Sequence, residues 1–175
     1  MSSTALSSDP SIVCKVYIQP YTSKCVNDFT SNLVQSDSKM ASSASTPAIS
    51  RQQAEQLANQ NLLGIFNERD STKRLTQMQA TYDEDIAFYD PDKLIKGFDT
   101  INEFVSQLHD SNPEWSFRPH GNVWVNSNLL MLEWEFGPAG QAAPVRGNDV
   151  MFVNGEGKIE KMYTMIQGVS DVDRV

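Results

Sequence analysis

The stretch Asn148-Asp149-Val150-Met151-Phe152-Val153-Asn154-Gly155-Glu156-Gly157-Lys158-Ile159-Glu160-Lys161-Met162-Tyr163 reads as two strands joined by a tight turn. Asn154-Gly155 is the pair that supplies positive backbone angles to a short hairpin, and Gly157 adds a second permissive position. Alternate residues of a strand share a face, so Asp149, Met151 and Val153 point the same way. An acid in line with apolar neighbours sits either at an open rim or inside a pocket. The spacing alone leaves both open.

Outward from this hairpin, the residues before it are strand and turn. Residues 117–125 and 129–136 are strand candidates separated by Asn126-Ser127-Asn128, a second hairpin signal. Gly137-Pro138-Ala139-Gly140 leads into a strand over about 145–153, and 159–166 forms the last. In Leu130, Leu132, Trp134 and Phe136 one face is heavily apolar, while Leu129, Met131, Glu133 and Glu135 make the other. Upstream the period changes. Ser50-Arg51-Gln52-Gln53 fits a capping box, and Ala54, Leu57, Ala58, Leu62 and Ile65 recur at helical spacing to about Phe66. Asp70 suits the cap of a short second helix carrying Leu75 and Met78. Residues 81–89 alternate as a strand, with Tyr82, Ile86 and Phe88 on one face, and Asp90-Pro91-Asp92 ends it. After Gly97, Asp99 caps a third helix with Ile101, Phe104, Val105 and Leu108 inward, closed by Asn112-Pro113. Helices followed by an antiparallel meander give an α+β fold.

The chain has 175 residues and a net charge of −8, which suits one domain and disfavours nucleic acid or an anionic membrane surface as partner. No apolar run is long enough to span a bilayer, and no signal-peptide pattern opens the chain, so a cytoplasmic protein is expected. Residues 1–49, rich in Ser and Thr, form a disordered or variable extension in this reading, with 50–175 as the folded domain. Met40 resembles a protein start, which makes residues 1–39 a gene-model extension or a variable tail. The segment 12–18 has strand character but stands alone. Cys14 and Cys25 are the only cysteines, free or paired across a short loop. Two histidines and no Cys/His cluster argue against a metal, and no phosphate-binding loop or nucleophile elbow is present, so no cofactor is expected.

Three stretches carry a family resemblance: Thr81-Tyr82-Asp83-Glu84-Asp85-Ile86-Ala87-Phe88-Tyr89-Asp90-Pro91, Gly97-Phe98-Asp99-Thr100-Ile101-Asn102-Glu103-Phe104, and the opening hairpin. Over about residues 50–167 the chain resembles the nuclear transport factor 2-like superfamily, in particular its SnoaL-like polyketide cyclases and ketosteroid isomerases. The resemblance implies a cone-shaped, strongly curved, mainly antiparallel sheet covered by three helices, with a deep apolar pocket for a small hydrophobic molecule. It implies that Asp90 stands where the isomerases place their general base. It also implies that Asp149 stands where related folds keep a working carboxylate in an apolar site. The isomerases offer a tyrosine from the first helix, and here Leu62 occupies that register.

Asp149 leads the catalytic candidates, followed by Asp90 and His120. A pocket reading assigns Leu62, Phe66, Trp124, Trp134, Met151, Tyr163 and Met165 to the lining. Arg146 is close enough in sequence to pair with Asp149, which would hold the acid ionised. His109, at the end of the third helix, suits the helix dipole. Two functions fit: a cofactor-independent isomerase, cyclase or dehydratase, or a non-catalytic ligand-binding or dimerisation module. A homodimer packed through the outer sheet face accounts for Leu129 and Met131.

Overall fold

A computed structural model describes residues 48–170. The readings that concern the segment before them, namely the strand over 12–18, the Cys14–Cys25 pairing and the variable extension, lie outside the described residues. The chain enters beside the sheet, where Ile49 N–H donates to the Ser127 carbonyl at 2.9 Å.

Helix α1 (Arg51–Asn59) starts on the expected capping box, with Ser50 accepting from Gln53 N–H and the Gln53 side chain accepting from Ser50 N–H. Its continuation differs from expectation. Gln60–Ile65 is a π-helical turn, in which Phe66 N–H bonds the Asn61 carbonyl five residues back at 3.0 Å. Such widened turns cluster at functional sites, and this one buries a polar residue, Asn61. Helix α2 (Ser71–Thr81) is capped by Asp70, which accepts from Thr72 and Lys73 N–H. Helix α3 (Phe98–Ser111) begins at Gly97, whose φ of 75° suits glycine, so Asp99 lies in the first turn rather than at the cap.

The strands are β1 (Tyr82–Asp90), β2 (Lys93–Lys96), β3 (Trp115–Asn126), β4 (Leu129–Pro138), β5 (Val145–Val153) and β6 (Ile159–Ile166). They form one sheet in the order β2-β1-β6-β5-β4-β3. Only β1 and β6 run parallel; the other neighbours are antiparallel. The sheet is curved and three helices cover it. Pairing slips between Tyr82 and Ala87, between His120 and Trp124, and between Phe152 and Val153. Extra residues at such slips bend and twist a strand, which a closing sheet requires.

The opening hairpin closes differently from the tight turn expected at Asn154-Gly155. Asn154 to Lys158 form a longer loop in which Asn154 N–H donates to the Lys158 carbonyl at 2.8 Å. The Asn154 side-chain oxygen accepts from Glu156 and Lys158 N–H, and only Gly157 takes a positive φ, of 81°. Asn154 organises the loop through its side chain rather than through a left-handed backbone.

The core lies between the concave face and the helices. Leu130, Leu132, Trp134 and Phe136 of β4 face inward with Met151 and Val153 of β5, all buried. Phe117 stacks on Phe136 at 4.3 Å between ring centres and meets Phe66 and Trp134 edge-on. Buried Arg74 ties α2 to α3, donating to Asn102 Oδ1 at 2.6 Å, to the Asn102 carbonyl at 3.0 Å, to the Glu68 carbonyl and to Ser106. Among the described residues no helix is long and apolar enough to cross a membrane.

Candidate functional site

Strand parity decides what the concave face presents. Asp149 pairs with Leu132 on one side and with Thr164 on the other, and directly paired residues share a face. Tyr89 pairs with Tyr163, so Asp90 comes level with Thr164. Asp90, Thr164, Asp149 and Leu132 thus form one row across the inner face of four strands.

Asp149 is buried, 4% exposed. Its Oδ1 accepts from Thr164 Oγ1 at 2.7 Å and from Trp134 Nε1 at 3.0 Å. Its Oδ2 accepts from Asn61 Nδ2 at 3.2 Å, and the Asn61 oxygen accepts from the hydroxyl of buried Tyr82. Trp134 reaches Asp149 because Gly147 leaves room for its ring. A Cβ at Gly147 would collide with the indole and lie 2.6 Å from the Met165 carbonyl oxygen. Four elements therefore meet on one carboxylate: the π-helical turn, β4, β5 and β6.

Burial pushes the Asp149 carboxyl up to about 6, against the pull of the Thr164, Trp134 and Asn61 hydrogen bonds. Asp90 is also raised to about 6, by burial first and then by the Asp92 charge, with a smaller push from Asp149. Both carboxyls are therefore raised chiefly by burial, and the charge of Asp149 adds only the smallest push to Asp90. The Tyr82 phenol is pushed well above its usual value by burial, and the Asp149 charge adds to this.

Arg146 does not pair with Asp149. It lies on the opposite face, opposite Glu135 in the strand register, and binds that carboxylate at 2.7 Å. His120 is likewise placed outside. It pairs with Glu133 on the convex face and approaches Glu135 at 3.8 Å with its side chain half exposed, far from the concave row. Three of the expected lining residues are corrected by the same parity. Trp124 pairs with Met131, Tyr163 with Val150 and Met165 with Asn148, so all three point outward and are 61%, 38% and 40% exposed. Leu62, Phe66, Trp134 and Met151 are inside and packed against one another's neighbours in the core. His109 is buried at the end of α3, where Nε2 meets the Phe66 carbonyl at 2.7 Å.

Two surface clefts, of about 340 and 230 Å³, lie elsewhere. The larger runs between α1 and β3 along Arg51, Glu55, Asn122 and Trp124. The smaller lies beneath Ile49 and the 154–157 loop. Around Asp149 the side chains close up, with Leu62, Tyr82 and Leu132 each at 1% exposure or less. Among the described residues no group of three or more His, Cys, Asp or Glu is arranged to hold a metal ion.

Asn61 and Tyr82 were not among the residues singled out from sequence. Tyr82 was legible as an inward strand residue, yet its hydroxyl partner depends on a residue 21 positions away. Asn61 gave one signal, an amide on the apolar side of the first helix next to Leu62.

The SnoaL-like domain family model matches residues 62–162. A candidate isomerase of the SnoaL-like family from Agrobacterium tumefaciens strain C58 superposes with a TM-score of 0.62 at 21% identity, covering 67% of this chain and 99% of that one. A SnoaL-like protein of unknown function from Burkholderia thailandensis E264 gives 0.55 at 12% identity, covering 69% and 99%. A candidate SnoaL-like polyketide cyclase from Jannaschia sp. CCS1 gives 0.51 at 14% identity, covering 80% and 100%. At these identities the likeness is one of fold. Among curated proteins no match to the chain was found.

Proposed function

The chain belongs to the SnoaL-like family, and on that premise we propose that it binds a small apolar metabolite and moves a proton on it without a cofactor, as an isomerase, cyclase or dehydratase does. Asp149 is the acid/base. The observation that carries this reading is a carboxyl buried among three neutral donors, with its proton affinity raised to about 6. Near neutral pH such a group is mostly ionised yet close enough to its midpoint to both take and return a proton. Oδ1 already accepts two hydrogen bonds and Oδ2 one, so Oδ2 keeps the lone pair that would meet a substrate C–H or O–H. Asp90, in the same row, is the second acid. A ligand must part the side chains over Asp149, and the irregular Gln60–Ile65 turn is the covering element least constrained by regular helix bonding.

The test is mass spectrometry of ligands that copurify with the protein, followed by incubation of the recovered compound with enzyme in D2O. Deuterium should enter at the carbon whose proton is moved with wild type and at least ~100-fold more slowly with Asp149→Asn. Equal rates for the two proteins would refute the assignment.

The tight packing around Asp149 favours a second reading, in which the family fold serves as a binding or dimerisation module and Asp149 is a structural anchor. The convex face supports the dimerisation part. Tyr89 and Tyr163 stack at 4.4 Å there, with Phe152 edge-on, beside exposed Met165. A second copy of the chain would cover this face.

A further inference from the structure

We propose that Tyr82 is a positioning residue for Asp149, acting through Asn61. An ionised carboxylate only accepts hydrogen bonds, so the Asn61 amide must turn its nitrogen to Asp149 and its oxygen away. The oxygen then meets the Tyr82 hydroxyl, which donates to it. The reverse arrangement suits a protonated Asp149: the acid donates to the amide oxygen, and the amide nitrogen donates to the phenol oxygen. Tyr82 is fully buried, so in that arrangement its own proton loses the acceptor that it has now. An orphaned buried donor is costly. Tyr82 therefore biases the amide towards the orientation that holds Asp149 ionised, although it does not itself touch the carboxylate.

The effect on turnover rests on the reading of Asp149 as the acid/base, whereas the effect on its titration does not. The titratable groups that face Asp149 are Asp90 and Tyr82, both on β1. In protein carrying 13C-labelled aspartate, Tyr82→Phe should move the Asp149 carboxyl midpoint upward by about one pH unit, the scale of weakening one hydrogen bond to a charged group. In an Asn61→Leu background, Tyr82→Phe should move it no further. An unchanged midpoint in the single variant, or the same shift in both backgrounds, would overturn the proposal. The wild-type protein carries a parallel test that needs no variant to fold. The Tyr82 ring carbon bearing the hydroxyl should titrate with the Asp149 midpoint, and a resonance that stands still overturns the relay. If Asp149 is catalytic, the acidic limb of kcat/KM moves up with the carboxyl in Tyr82→Phe. A carboxyl that shifts in a protein without turnover upholds the relay and refutes the proposed function.

Discussion

Asp149 is held at a cost, and the cost depends on pH. An unfolded aspartate releases its proton near 3.8, and the folded Asp149 does so near 6. Between those values the folded chain binds the proton and the unfolded chain does not, so raising the pH through this window destabilises the fold. The size is about 3 kcal/mol for Asp149 alone, and Asp90 acts in the same direction. Urea unfolding at a series of pH values should therefore show wild type losing stability relative to Asp149→Asn as the pH rises from about 4 to 6, whatever the opposite contributions of His109 and Asp70 to both proteins. Parallel profiles would mean that Asp149 titrates as an exposed acid. Gly147→Ala tests the support of the same carboxylate. The added methyl displaces the Trp134 ring, and an overpacked core of this kind loses about 2 kcal/mol, with a changed near-ultraviolet tryptophan signal. At this scale the sequence made Asp149 legible, because an acid in an apolar alternation is conspicuous. Asn61 and Tyr82 were hidden, because which buried hydroxyl meets which amide is set by tertiary contact.

Among the elements, α2 and α3 are joined by buried Arg74 and by the Asn102 amide, which donates to Ser71 Oγ at 2.8 Å. Arg74 is wholly buried, and its guanidinium satisfies the Glu68 and Asn102 carbonyls together with the Asn102 and Ser106 side chains. Arg74→Met keeps much of the volume and takes the guanidinium from these acceptors, of which the Asn102 carbonyl still accepts from the Ser106 hydroxyl at 3.0 Å. It should lower the urea midpoint by the equivalent of about 3 kcal/mol, while Lys73→Met on the exposed side of α2 should leave it nearly unchanged. The helix starts at Ser50 and Asp70 were readable because capping is local chemistry. The π-helical turn, the short strand β2 and the Asn154 loop were not. The first replaces a regular pattern that the residues also fit, β2 has only four residues, and in the loop an Asn side chain took over the work expected of its backbone. Trp124, Tyr163 and Met165 show the limit of hydrophobicity as a guide. Apolar character marked them for an interior, while strand parity placed them outside.

At the scale of the whole fold, the convex face leaves Tyr163 and Met165 exposed. A second copy covering Tyr163, Met165 and their neighbours predicts a dimer mass by light scattering, and Tyr163→Glu should shift the population to monomer while leaving the concave row intact. A monomeric wild type at high micromolar concentration would remove that proposal without touching Asp149. The meander, the three helices and the family were visible in the order of elements, since alternation and caps survive in single sequences. Closure of the interior around Asp149 was not visible, because whether side chains fill a cone or leave it hollow depends on how they interdigitate. The central question therefore returns to one carboxyl group inside that closed interior. Its titration can be followed by NMR in 13C-aspartate-labelled protein, with Asp149→Asn identifying the resonance. A midpoint near 6 is expected; a midpoint at or below the ordinary value of about 4 would contradict a buried, proton-exchanging Asp149.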